Sequence, residues 1–135
     1  MYRLFFEVIL SVNEEINVRL DDIGNLFVDM MFNCDEAGSF DFAKFDENNS
    51  EQVDKLIRKY ILSRYNQLGC DEKKWLKLSL SYFLTYEPSQ FCKLSKDGYI
   101  PIKVSFELME KVWTILFFNE SYAFKGKPNN ILYDV

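Results

Sequence analysis

The chain has 135 residues, with 21 acidic side chains against 16 basic ones, a net charge of −5, and no histidine. That length suits one domain. A hydrophobic share of 48%, with 17% aromatic residues, is enough to build a core and too apolar for a disordered chain. Without histidine there can be no Ser-His-Asp triad, no Cys-His dyad and no imidazole metal site, and the acidic balance argues against a duplex-binding protein, which needs a basic face for the phosphates.

Met1 to Leu10 is apolar enough to be mistaken for a signal peptide. It carries a single positive charge, Glu7 interrupts it, and Asn13, Glu14 and Glu15 stand where small residues would mark a cleavage site. Alternation instead predicts a central strand over Leu4–Val12, with Leu4, Phe6, Val8 and Leu10 on one face. Ile16, Leu20 and Ile23 fall at helical spacing. With Ser11 and Glu14 as a capping box and Gly24 as a stop, they predict a short helix over 13–24, although Ile16 to Leu20 also alternates as a strand would. Leu26–Phe32 is expected to be a second strand and Asn33–Gly38 a loop. Ser39–Phe45 alternates strictly, as a third strand or as an extended loop displaying Phe40, Phe42 and Phe45.

The strongest helical signal runs from Ser50 to Leu68. Val53, Leu56, Ile57, Tyr60, Ile61 and Leu68 form one apolar stripe, Asn49 and Gln52 offer a capping box, and Gly69 ends it. Glu51 with Lys55 and Asp54 with Arg58 are well-oriented i,i+4 pairs. Leu76, Leu78, Leu80, Tyr82, Leu84 and Tyr86 then alternate with mostly polar residues, which predicts a strand with one wet face, stopped by Glu87-Pro88. A turn at Lys96–Tyr99 precedes a short strand over Ile100–Val104, placed at an edge by Pro101. Ser105 can cap a helix running to about Leu116, with a continuous strand as the alternative. Ser121–Phe124 is expected to be a last strand and Gly126–Asn130 a loop. Together these elements predict an α+β fold: a mostly antiparallel sheet with two or three helices packed on it, in a single domain spanning 1–135.

Charge is unevenly spread. The first 54 residues hold thirteen acids and three bases, a net of −10, while the remaining 81 carry a net of +5. Asp21, Asp22, Asp29, Asp35, Glu36, Asp41, Asp46 and Glu47 lie in a stretch that also carries Phe40, Phe42 and Phe45. Charge clustered this way is either a solvated face balanced by the basic half or a surface that steers a basic partner. The rings are either core or desolvated anchors for that partner.

Little else in the sequence carries chemistry. The acidic runs lack EF-hand spacing, and zinc would need more than three scattered thiols. Pairs of carboxylates could do glycosidase work, but any acidic chain offers them. Cys34 stands beside Asp35 and Glu36, which raise a thiol's pKa, and Cys34, Cys70 and Cys92 have neither disulfide nor CxxC spacing. Cytosolic, reduced thiols acting as small fillers are expected. The glycines are isolated, so there is no phosphate loop. Lys73, Lys74 and Lys77 around Trp75, followed by Lys93 and Lys96, could stack single-stranded nucleic acid but read more simply as the solvent edge of a sheet. No cofactor, metal or membrane association is expected, and no apolar run nears the ~20 residues that span a bilayer.

In size, acidity, lack of histidine and aromatic richness the chain is similar to the small acidic immunity proteins of bacterial toxin systems, although no motif carries that similarity. It implies a cytoplasmic, non-enzymatic protein that neutralises a basic partner, a toxin or nuclease domain, by covering its active site or substrate surface. The expected binding residues are Asp21, Asp22, Asp29, Asp35, Glu36, Asp41, Phe42, Phe45, Asp46 and Glu47. A phage-type inhibitor imitating nucleic-acid charge uses the same physics but calls for a more negative chain. An enzyme with a carboxylate-based site is the third reading.

Overall fold

Helix dominates the computed structural model, in which residues 15–32 and 41–134 are described. Strand β1 (Asn17–Arg19) leads directly into helix α1 (Leu20–Gly24), a 3-10 turn at Asn25–Phe27 and helix α2 (Val28–Phe32). A 3-10 turn at Phe42–Lys44 precedes α3 (Ser50–Leu56), which continues through a π-helical segment at Ile57–Leu62 into α4 (Ser63–Gln67). Then come α5 (Cys70–Tyr86), a 3-10 segment at Pro88–Ser95, α6 (Phe106–Phe117) and strand β2 (Asn130–Leu132). The α+β expectation of a mostly antiparallel sheet is overturned. Among the described residues the sheet is one parallel pair, with Asn17 opposite Asn130, Val18 opposite Ile131 and Arg19 opposite Leu132.

The largest correction is Leu76–Tyr86, which is not a strand but the C-terminal part of the 17-residue helix α5. Its polar positions were expected to face water. Instead Leu78, Ser79, Leu80, Ser81, Tyr82, Phe83 and Leu84 are all buried, so every side of the helix is covered. A helix enclosed on all sides has no apolar stripe, and period-2 alternation within it carries no structural meaning. β1, α1, the Pro88–Ser95 segment and α6 all pack on α5.

Ser79, Ser81 and Thr85 make that enclosure possible because they bond to backbone outside the helices. Arg19 N–H in β1 donates to Ser79 Oγ at 2.9 Å. Ser81 Oγ donates to the Tyr122 carbonyl at 2.6 Å, and Thr85 Oγ1 lies 3.0 Å from the same oxygen while accepting from Phe124 N–H at 3.0 Å. Buried polar groups need such partners. Ser121–Phe124, expected as a strand, is thus chain outside any helix or strand whose backbone bonds to helix hydroxyls in place of a neighbouring strand.

The other misread strands have equally local causes. In Leu26–Phe32 the fully buried residues are Leu26, Phe27 and Met30, a helical spacing that overlaps the alternation of Leu26, Val28 and Met30. Gly24 is the last residue of α1 but not a left-handed stop: its φ of −56° and ψ of −30° carry the chain straight into the 3-10 turn. Ile100, Ile102 and Val104 are buried as alternation predicts, yet the segment has no strand partner among the described residues. Within the expected 13–24 element, the described residues combine both readings, strand over Asn17–Arg19 and helix over Leu20–Gly24. The strand expected over Leu4–Val12 and the loop over Asn33–Gly38 lie outside the described residues, as do Ser39 and Phe40.

Two expected helices are present. The chain is helical from Ser50 to Gln67, with Asn49 Oδ1 accepting from Gln52 N–H at 3.1 Å and the Asp54–Arg58 pair formed at 3.0 Å. The Gln52 side chain accepts from Asp46 N–H at 2.8 Å, so it fixes the incoming turn and leaves the capping box half made. The π segment buries Ile57, Tyr60 and Ile61 between α2 and α6. Ser105 caps α6 by accepting from Leu108 N–H at 3.1 Å.

Candidate binding surface

The described acids fall into two groups. Asp21, Asp22 and Asp29 sit on α1 and α2, while Asp41, Asp46 and Glu47 sit in the turns leading into α3. Both groups border the same π segment: α2 packs on it, and the Phe42 ring lies 5.3 Å from that of Tyr60. Asp21, Asp41, Asp46 and Glu47 are exposed; Asp22 and Asp29 are half-buried. Asp35 and Glu36 lie outside the described residues.

Two of these carboxylates have local structural work. Asp41 Oδ1 accepts from Ala43 N–H at 3.1 Å and caps the 3-10 turn, and Asp46 Oδ1 accepts from Asn48 N–H at 2.9 Å. Burial raises the Asp22 carboxyl above its ordinary pKa; the Arg19 guanidinium opposes the rise and Asp21 adds to it. Among the described residues none of the six forms an ion pair with a lysine or arginine. Phe42 and Phe45 are half-buried, each packed against the core on one side. They fasten the turn and still present ring surface beside Asp41 and Asp46.

Glu47 also lines a cavity of about 370 Å³ between the starts of α3 and α6, together with Asn48, Val53, Lys103, Ser105, Glu107, Leu108 and Lys111. A second, more apolar cavity of about 260 Å³ shares Val53 and Lys111 with it and is also lined by Asp54, Ile57, Thr114 and Ile115. Lys103, Glu107 and Lys111 were not singled out from the sequence. The Ser105 cap put Glu107 and Lys111 on one helix at i,i+4, but nothing local announced that α3 would begin beside it. Among the described residues no group of three or more acids, thiols or imidazoles is arranged to hold a metal ion, and no helix is long and apolar enough to cross a membrane.

The Lys73–Lys77 cluster is on the first turns of α5, not at a sheet edge. Lys73 lies over the Tyr65 ring and Lys74 over the Trp75 ring, each at 5.0 Å, and Lys77 pairs with Glu120 at 2.8 Å. Rings and a carboxylate of the same chain therefore engage these ammonium groups. Cys70 and Cys92, expected as small fillers, are both exposed; Cys34 lies outside the described residues.

The most perturbed group lies elsewhere. Glu87 Oε2 accepts from Tyr82 OH at 2.9 Å and from Tyr133 OH at 2.7 Å. Burial, then the Glu87 hydrogen bond and its charge, push the Tyr82 phenol up to about 12 from 10.0. Folding therefore favours the neutral phenol. Its contribution to stability is full below pH 10 and is lost as pH rises from 10 toward about 12. Absorbance titration is expected to show a tyrosine ionising near pH 12 that is missing in Tyr82→Phe, with a shallower alkaline loss of stability in that variant. No protein family, curated protein or solved structure matches the chain.

Proposed function

We propose that this protein is a small acidic binding protein that neutralises a basic protein partner, in the manner of an immunity protein covering the active site or substrate surface of a toxin or nuclease domain. The observation that supports this reading best is the exposure of Asp41, Asp46 and Glu47, with no lysine or arginine of the described chain paired to them, beside the half-buried rings of Phe42 and Phe45. A nuclease must be basic to hold its substrate, so negative potential on its antidote speeds and orients their encounter. The rings supply apolar surface that the encounter can desolvate.

The test is affinity capture from the source cells, comparing the native chain with the triple variant Asp41→Asn, Asp46→Asn, Glu47→Gln. Asparagine keeps an acceptor for both turn hydrogen bonds, so the fold is retained while three charges are removed. A basic protein should be captured by the native chain, released by salt, lose its own activity in the complex, and bind the variant about tenfold more weakly or worse. Equal capture by a normally melting variant, or an acidic partner, would overturn the reading.

A further inference from the structure

We propose that the cavity between the starts of α3 and α6 binds a free amino acid with an apolar side chain, its carboxylate held by Lys103 and Lys111 and its ammonium by Glu47 and Glu107. At about 370 Å³ the cavity falls in the size range of small-molecule sites, roughly 300–1,000 Å³. Two positive and two negative side chains line it, yet among the described residues none of the four side chains makes a hydrogen bond or an ion pair. Glu107 and Lys111 stand at i,i+4 in the orientation that normally closes a helical ion pair, and they remain apart.

A ligand of one sign would meet repulsion from half of this lining. A zwitterion of amino-acid size can satisfy both halves together and desolvates no charge without a partner. The floor is apolar, with Val53 at 2% and Leu108 at 4% exposure. The adjacent cavity, which shares Val53 and Lys111 with it, is lined by Ile57 and Ile115. It gives a side chain a place to lie once the two charged ends are fixed. Glu47 is shared with the acidic surface described above, but the inference needs no protein partner and fails or stands independently of it.

The test is a titration of the isotope-labelled full chain with three probes, L-leucine, N-acetyl-leucine and leucinamide, followed by amide NMR. Leucine should shift the signals of Asn48, Lys103, Ser105, Glu107 and Lys111 along saturating curves. N-acetyl-leucine, which lacks the ammonium, and leucinamide, which lacks the carboxylate, should each bind at least about tenfold more weakly. Glu107→Gln should weaken leucine by about the same factor without weakening N-acetyl-leucine, and Lys111→Met should do so for leucine without weakening leucinamide. Both positions are exposed, so neither variant threatens the fold. The proposal is overturned if leucine gives no saturable shift at these residues, or if all three probes bind alike, which would mark apolar contact alone.

Discussion

Phe83→Ala is expected to lower the stability of the folded chain by about 3–5 kcal/mol, the range for deleting a fully enclosed ring. Phe83 has no exposed surface and sits in the last turn of α5, with the rings of Tyr82, Tyr133 and Phe91 at 5.3, 6.0 and 6.4 Å. Those neighbours come from α5 itself, the segment after it and the C-terminal chain. Three separately anchored groups cannot all collapse into one hole, so most of the cavity term should survive relaxation. Phe83→Leu keeps more of the volume and should lose much less. Urea unfolding of the two variants reads the difference. A loss below about 1 kcal/mol for alanine would mean that α5 is not enclosed as described.

The double variant Ser81→Ala, Thr85→Val should be the next most damaging. It removes the Ser81 donor to the Tyr122 carbonyl and the Thr85 acceptor of Phe124 N–H. Each buried group left without a partner costs about 1–3 kcal/mol. Valine nearly matches threonine in shape, so packing alone predicts a small change. Faster amide exchange over 122–124, together with a lowered urea midpoint, would identify the lost bonds. An unchanged exchange pattern would show that the segment is held by Phe124 and Tyr122 packing instead.

These hydroxyls also explain why the fold was only partly legible in the sequence. Ser50–Leu68 and the helix after Ser105 were readable because each has one wet face and a side-chain cap at its start. Leu76–Tyr86 was not, because Ser79 and Ser81 counted as solvent-facing when they are interior bonding partners for non-helical chain. Ile100–Val104 and Ser121–Phe124 are not strands: the first begins in bends, and the backbone of the second bonds to hydroxyls of α5 where a neighbouring strand was expected. For the site, Glu47 was visible as one acid among several. Its neighbours across the cavity come from more than fifty residues further along, and no local pattern encodes that meeting.

The pairing of β1 with β2 has a consequence for how the chain acquires its shape. Asn17 and Asn130 meet across 113 residues, with Asn130 Nδ2 donating to Asn17 Oδ1 at 2.7 Å and Ile16 N–H donating to Asn129 Oδ1 at 2.6 Å. During synthesis the earlier strand therefore leaves the ribosome long before its mate exists. Contacts so distant in sequence slow folding, because the intervening loop must be closed before it is rewarded. The helices between can assemble first around α5, leaving the edge of Ile16 and Val18 to be sealed last. A nascent chain arrested before residue 129 would carry that edge open, ready to pair with any other extended strand nearby.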